Sequence, residues 1–196
     1  MEKRVDCPRD CELALLAATV SEQLRSVGAR MVTAESCSGG WIAKVCTDLA
    51  GSSAWFEGGF ISYSNAAKQR QLGVPEALLQ QHGAVSREVA KAMAQGAIAH
   101  SDAQVAVAVS GIAGPAGGTE QKRVGCVCFA WSNRNGVTIS DQQQFAGGRE
   151  AVRRQTVAHA LRGILDICGT RPAANGVTAA VALRHEEGDV APQCVE

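Results

Sequence analysis

A run of five small apolar residues, Val105 to Val109, limits the folds that this chain can adopt. The run is bounded by turn residues and contains no polar position, which is typical of a strand buried on both faces. Such a strand needs a covering layer on each side of its sheet. Other strand-like segments alternate with segments that have the apolar spacing of amphipathic helices. The sequence therefore predicts a single α/β domain, a mixed β-sheet flanked by helices.

Turn and cap residues divide the rest of the chain into elements of ordinary length. The predicted strands are 31–35, 58–63, 105–109, 124–131 and 137–145, the last two joined by a turn at 133–136. The predicted helices are 10–27, one from Trp41 to near Gly51, one carrying Lys68 behind a Ser64 or Asn65 cap, one from Pro75 to Gly83, one capped by Ser86, and 149–168. Residues 1–9 are expected to be an N-terminal extension, 10–169 the domain, and 170–196 a loosely ordered tail.

Composition excludes several classes of protein. Nineteen basic and nineteen acidic residues cancel, so no net field favours nucleic acid or an anionic membrane. Apolar stretches stay below the roughly 18 residues of a membrane span, and the first residues do not form a secretory leader. A cytoplasmic location is therefore expected.

The cysteines do not indicate a disulfide framework or a metal site. A chain of 196 residues with eight cysteines is not the short secreted chain in which such frameworks occur. Neither the Cys7–Cys11 pair nor the Cys126–Cys128 pair has zinc-ligand spacing with accompanying histidines. We expect reduced thiols, no metal and no cofactor.

Residues 33–40, Thr-Ala-Glu-Ser-Cys-Ser-Gly-Gly, form the first candidate for chemistry. A strand that turns sharply into a helix exposes its turn residue and directs helix N-terminal N–H groups towards a ligand. Donors of this kind stabilise the oxyanion of an acyl-transfer reaction. The alternative is an N-cap serine followed by turn glycines.

Tyr63 and Lys68 form the second candidate. A serine hydroxyl needs a neighbouring base, and a lysine can serve when burial lowers its pKa. The first turn of the predicted helix would lower that pKa further, and Tyr63 could relay a proton. The alternative is a solvated helix lysine and a core tyrosine.

Two glycine-rich segments could bind phosphate. Residues 110–119 follow the buried strand, and their backbone amides could wrap an anion, although the lysine of a P-loop is missing. Arg149 follows Gly147-Gly148 at the start of the last helix, where an arginine could contact a phosphate. A flexible connection and a solvated arginine are the respective alternatives.

Together these segments resemble the C-terminal domain of the CinA family, in particular its stand-alone nicotinamide-nucleotide amidase form. The resemblance extends from about Ala14 to Ile167. The matching segments are 33–40, 51–56, Tyr63-Ser64-Asn65 with Lys68, 83–86, 110–115 with Gly117-Gly118, and Val124-Gly125.

The resemblance implies hydrolysis of nicotinamide mononucleotide to nicotinic acid mononucleotide and ammonia, without metal or cofactor. By motif, Ser36 would be the nucleophile, Lys68 the base and Tyr63 an assisting hydroxyl. The remaining residues would bind the oxyanion or the nucleotide, with backbone N–H groups around Ser38 to Gly40 holding the oxyanion: Cys37, Ser38, Gly39, Gly40, Ser110, Gly111 and Arg149. A homo-oligomer is expected because small domains commonly pair symmetrically.

Three positions depart from the family pattern. Arg123, Cys126 and Cys128 stand where the family often has proline, threonine and tryptophan. Cys126 could alter substrate preference if that position touches ligand.

Two other interpretations stay open. One is a non-catalytic nucleotide-binding or regulatory module, because the family is linked to competence and DNA damage. Another makes Cys37 the nucleophile, because thiolates attack readily.

Overall fold

A computed structural model describes residues 7–169. Its helices are α1 (Asp10–Ser26), α2 (Trp41–Thr47), α3 (Asn65–Leu72), α4 (Glu76–His82), α5 (Arg87–Ala99) and α6 (Arg149–Gly169). Its strands are β1 (Met31–Glu35), β2 (Phe56–Ile61), β3 (Val105–Gly111), β4 (Cys126–Asn133) and β5 (Thr138–Gln144). The expected tail at 170–196 and most of the expected N-terminal extension, residues 1–6, lie outside the described residues.

The strands of the described region form one mixed sheet in the order β2-β1-β3-β4-β5. β1 runs parallel to β2 and β3, whereas β4 and β5 are antiparallel to their neighbours. This confirms the predicted fold class. Glu35, the last residue of β1, pairs with Ile61 on one side and Val109 on the other. The residues that follow β1 and β2 and the end of β3 therefore meet at one edge of the sheet.

The central strand β3 is buried on both faces, as predicted. Its valines pack with α1, α2 and α6, whereas Ala106 and Ala108 pack with residues of α3, α4 and α5. None of the residues from Val105 to Val109 is more than 5 % exposed. Small side chains on the second face allow the helices there to approach the sheet closely.

Close packing of α3 against α5 fixes the position of Lys68. A Cβ atom on Gly96 would lie 1.9 Å from the carbonyl oxygen of Leu72, so only glycine permits this contact. The α3 helix begins where the Ser64 hydroxyl accepts a hydrogen bond from the Ala67 N–H at 3.1 Å. It ends at Gly73, whose φ of 65° is left-handed. The first turn of α3 is thereby held at the sheet edge.

Some element boundaries differ from those predicted. β2 starts two residues earlier because Phe56 pairs with Met31 and Glu57 forms an ion pair with Arg30 at 2.6 Å. The polar Glu57 hides this start from a hydrophobic pattern. β4 begins at Cys126, after Gly125 has turned the chain with a φ of 93°. No helix within residues 7–169 is both long and apolar enough to cross a membrane.

Candidate active site

A cavity of about 200 Å³ opens where β1, β2 and β3 end. It brings together many of the residues predicted from the sequence to form the site. Those lining it are Ser36, Cys37, Tyr63, Lys68, Ser110, Gly111 and Arg149.

Lys68 and Ser36 are in direct contact, although 32 residues separate them in the sequence. The Lys68 Nζ lies 3.0 Å from the Ser36 Oγ. It also donates hydrogen bonds to the carbonyl oxygens of Ser62, at 2.9 Å, and Tyr63, at 3.2 Å. A neutral amine can keep both carbonyl contacts and direct its lone pair at the serine hydroxyl. The pair therefore has the geometry of a nucleophile and its base.

The surroundings of Lys68 favour the neutral amine. Its side chain is 1 % exposed, and within residues 7–169 no carboxylate lies within ion-pair distance of it. Burial lowers the pKa of Lys68, because removal from water disfavours the ammonium form. The structure thus shows the burial of Lys68 that a lysine base requires.

Tyr63 contributes to the site in two ways. Its carbonyl oxygen accepts a hydrogen bond from Lys68, and Tyr63 also lines the cavity. The side chain is 64 % exposed, so Tyr63 is not the core tyrosine of the alternative interpretation. It lies at the mouth of the cavity, where a substrate would enter.

Glu35 is an organising residue of the site that the sequence reasoning did not single out. Its side chain is fully buried and accepts four hydrogen bonds. The donors are the Thr33 hydroxyl (3.1 Å), the Ser38 hydroxyl (2.7 Å) and the backbone N–H groups of Ile42 (3.0 Å) and Ala43 (2.8 Å). The signal in the sequence was an acidic residue at the end of a predicted strand, with a serine three positions later.

The Glu35 contacts change the expected use of the α2 N-terminus. The N–H groups of Ile42 and Ala43 donate to Glu35 instead of facing the cavity, because the buried carboxylate needs donors. Gly39 donates its N–H to the Ser36 carbonyl oxygen at 3.2 Å. Gly39 and Gly40 line a different cavity, described below.

Ser110, Gly111 and Arg149 lie at the cavity and also have structural contacts. The Ser110 hydroxyl donates to the Ala84 carbonyl oxygen at 2.7 Å. A Cβ atom on Gly111 would lie 2.8 Å from the carbonyl oxygen of Cys126, so glycine permits the close approach of β3 and β4. The exposed Arg149 donates to the Gly114 carbonyl oxygen at 2.8 Å and so holds the glycine-rich loop.

The cysteines contribute little reactive character to the cavity. Burial raises the pKa of Cys37 to about 12, so its thiol stays protonated at neutral pH and is a poor nucleophile. Cys126 and Cys128 are buried in β4 and do not line the cavity. Within residues 7–169, no cluster of three or more His, Cys, Asp or Glu side chains could hold a metal ion.

Comparison with known proteins finds close relatives of this chain. The nicotinamide-nucleotide amidohydrolase PncC of Escherichia coli K12 is 54 % identical over 153 residues, covering 78 % of this chain and 93 % of that protein. A protein of the same name from Pseudomonas putida is 56 % identical over 155 residues, covering 79 % and 96 %.

A solved structure is similar to this chain in both fold and sequence. The competence/damage-inducible protein CihA of Agrobacterium tumefaciens is 42 % identical, with a TM-score of 0.79 over 82 % of this chain and 97 % of that one. The CinA C-terminal domain family matches residues 13–168. The chain belongs to the CinA C-terminal domain family.

Proposed function

We propose that this protein is a nicotinamide-nucleotide amidohydrolase that converts nicotinamide mononucleotide and water into nicotinic acid mononucleotide and ammonia. Relatives that carry this name are 49 to 56 % identical to the chain. The single observation that carries the mechanism is the 3.0 Å contact between the buried Lys68 Nζ and the Ser36 Oγ. A small-molecule nucleotide is thus the substrate.

In the first step, Ser36 attacks the carboxamide carbon. The neutral Lys68 amine takes the hydroxyl proton as the bond from the Ser36 Oγ to carbon forms. The resulting ammonium keeps its two carbonyl acceptors, Ser62 and Tyr63. Lys68 thus gains a proton without changing its place in the site.

Backbone N–H groups of the turn after Ser36 would stabilise the oxyanion. Two of the donors expected from the sequence do not serve. The Gly39 N–H already donates to the Ser36 carbonyl oxygen, and Gly40 lines a second, separate cavity. We assign the role to the N–H groups of Cys37 and Ser38. Cys37 lines the cavity of about 200 Å³, which we name the amide cavity, and Ser38 follows Cys37 directly. Loss of one oxyanion donor typically reduces kcat by about 10²–10³-fold.

In the second step, the carbon–nitrogen bond breaks. The ammonium form of Lys68 returns its proton to the leaving nitrogen, which departs as ammonia and leaves an ester on Ser36. Lys68, neutral again, takes a proton from water as that water attacks the ester. When the bond from carbon to the Ser36 Oγ breaks, the Lys68 ammonium gives its proton to that oxygen. The product leaves as nicotinic acid mononucleotide, whose acid group then ionises, and both the Ser36 hydroxyl and the neutral Lys68 amine are restored.

The size of the cavity suggests how the nucleotide lies. A volume of about 200 Å³ is below the roughly 300–1,000 Å³ of a pocket that encloses a whole ligand. We infer that the pyridine carboxamide enters the cavity and the ribose phosphate stays at the mouth. The exposed Arg149 on one side of that mouth is the proposed phosphate contact.

Ammonia release from three substrates tests this function. We expect turnover of nicotinamide mononucleotide and much slower turnover of nicotinamide riboside and free nicotinamide, which lack the phosphate. Ser36→Ala should abolish the reaction, whereas Cys37→Ala should retain it. Equal rates for wild type and Ser36→Ala would refute the assigned nucleophile.

A regulatory nucleotide-binding module would give a different result in the same assay. It would be stabilised against thermal unfolding by nicotinamide mononucleotide without releasing ammonia. The buried amine at the serine favours the enzyme, since a binding module has no need of a desolvated base. As part of the proposal, we place the reaction in the cytoplasm and expect a homo-oligomer, which light scattering would measure.

A further inference from the structure

A second cavity, of about 450 Å³, lies between α1, α2 and α6. We name it the arginine cavity; its wall includes Gly39, Gly40, Trp41, Lys44, Arg153 and Arg154. The turn that follows Ser36 separates it from the amide cavity, since Ser36 and Cys37 line one and Gly39 and Gly40 the other. Its volume falls within the range of about 300–1,000 Å³ that is usual for small-molecule sites.

In the described part of the chain, two of the three basic side chains of the arginine cavity form ion pairs, and the third does not. Two carboxylates, Asp10 and Asp48, also line the cavity. Lys44 forms an ion pair with Asp48, and Arg154 forms ion pairs with Asp10 and Glu150. Arg153 has no carboxylate within ion-pair distance in residues 7–169. One positive charge of this wall is therefore left without a counter-charge from the described residues.

The hydrogen bonding of Arg153 is also incomplete. Its Nη2 donates to the Ser38 carbonyl oxygen at 2.6 Å, and its guanidinium lies 4.9 Å from the centre of the Trp41 ring. Its Nε is buried and has no hydrogen-bond partner among the described residues. A buried donor left unpaired is destabilising, and an anion bound to this guanidinium would supply the counter-charge that the described residues lack.

These features fit the chemistry of a phosphate ester. A guanidinium binds phosphate through paired hydrogen bonds, and the remaining volume can hold a sugar-sized group. We propose that the arginine cavity is a second binding site, for a small sugar phosphate whose phosphate contacts Arg153. This site is separate from the amide cavity and does not depend on the reaction proposed there.

A ligand in the arginine cavity would be coupled to the nucleophile turn. The Ser38 carbonyl accepts from Arg153, and the Ser38 hydroxyl donates to Glu35, the residue before Ser36. A phosphate that draws Arg153 away from Ser38 loosens one of these two restraints. Occupancy is therefore expected to change kcat more than KM.

Intrinsic fluorescence provides a direct test of binding. Trp41 lines the cavity, whereas the other two tryptophans, Trp55 and Trp131, are 1 % and 4 % exposed. Titration with ribose 5-phosphate at constant ionic strength should change the emission, and ribose should not. Trp41→Phe should remove the signal while calorimetry still detects binding.

Substitution of Arg153 decides the assignment. Arg153→Met should weaken ribose 5-phosphate binding at least tenfold, whereas Arg162→Met, at an exposed position of the same helix, should not. Arg149→Met should keep the Trp41 response, which separates this site from the phosphate contact proposed at the amide cavity. The unfolding midpoint of each variant is measured first to verify folding.

Two results would overturn the proposal. One is a folded Arg153→Met protein with wild-type affinity for ribose 5-phosphate. The other is calorimetry in which the wild type does not bind ribose 5-phosphate, or in which Arg149→Met abolishes that binding. Because these measurements need no turnover, they are independent of whether the protein hydrolyses nicotinamide mononucleotide.

Discussion

Lys68 and Glu35 are two buried ionisable side chains that contact the turn carrying Ser36. Both are at most 1 % exposed, yet their surroundings differ. Glu35 accepts four hydrogen bonds, two to each oxygen. In the part of the chain that the structure describes, Lys68 contacts only neutral oxygens. Burial of the same extent thus gives an anchored carboxylate in one case and a reactive amine in the other.

The contrast shows how partners decide the effect of burial. A buried charge is costly unless donors or counter-ions replace the water that it loses. Four donors replace that water around Glu35 and join β1 to the start of α2. Lys68 gains no opposite charge from the described residues, so burial favours its neutral form. If this contrast is correct, changes at the two sites should separate activity from stability.

The largest expected effect is on activity, from Lys68→Met. Removing the amine should reduce ammonia release from nicotinamide mononucleotide by about 10²–10⁴-fold, the usual contribution of a general base. The free energy of unfolding should stay within about 1 kcal/mol of wild type or rise, since an apolar chain of similar length replaces a buried amine. Steady-state kinetics and urea unfolding measure the two quantities.

Lys91→Met is the matched control, because Lys91 is an exposed lysine on α5. It should leave both activity and stability unchanged. A Lys68→Met protein that retains wild-type activity would remove the reactive amine from the comparison.

The pH dependence of the reaction should follow Lys68. The active form is the neutral amine, so kcat/KM should rise with pH, about tenfold per unit while Lys68 is mainly protonated. Because burial lowers the pKa of Lys68, the rise should end below the pKa of an exposed lysine, about 10.4. A profile of kcat/KM against pH measures this.

The same shift should appear in stability. Between the folded and unfolded pKa values of Lys68, the unfolded chain binds more protons, so the Lys68 contribution to the free energy of unfolding rises with pH. Comparing wild type with Lys68→Met isolates this contribution. A flat or falling kcat/KM profile below the plateau would contradict the assignment of Lys68 as the base.

Glu35→Gln should mainly reduce stability. The amide nitrogen of the new glutamine would take the place of an oxygen that accepts two hydrogen bonds. Two donors would then face another donor and lose their acceptor. We expect a loss of about 2–3 kcal/mol in the free energy of unfolding, measured by urea denaturation. Ammonia release should also fall, because the turn that carries Ser36 loses its anchor.

Glu22→Gln, at an exposed position of α1, is the control for the loss of a carboxylate. It should unfold at the wild-type urea concentration. Wild-type stability in the Glu35→Gln protein would mean that the four hydrogen bonds do not anchor the turn.

The smallest expected effect is that of Thr33→Val. This change removes one of the four donors to Glu35 with little change in shape. The free energy of unfolding should fall by about 1 kcal/mol, and activity should stay within a few-fold of wild type. A loss as large as that of Glu35→Gln would show that the network depends on every donor, which double-substitution measurements would then resolve.

Much of the fold could be predicted from local patterns. The doubly buried β3, the Ser86 cap and the two-faced helices followed from apolar spacing and turn chemistry. Turn chemistry limited the cap of α3 to Ser64 or Asn65, and the structure shows Ser64. The start of β2 could not, because a polar Glu57 interrupts the pattern and its ion pair with Arg30 depends on a distant segment. Cap chemistry is local, whereas ion pairing across a sheet depends on which strands are neighbours.

The candidate site divides in the same way. Ser36, Lys68 and Tyr63 were selected from motifs, and the structure brings them to one cavity. The role of Glu35 and the separation of Gly39 and Gly40 into the arginine cavity did not follow from the sequence. Both depend on where the α2 N–H groups and α6 lie relative to the turn.

By itself, the sequence determined that the chain is an α/β domain and which residue types meet at the strand ends. Only the tertiary structure decided that Lys68 is shielded from water with no carboxylate of residues 7–169 beside it, and that Arg153 donates to the Ser38 carbonyl oxygen. The physical reason is that helix and strand formation depend on neighbours a few residues away. The charge state and hydrogen bonding of a buried group depend instead on atoms that only the folded chain brings near it.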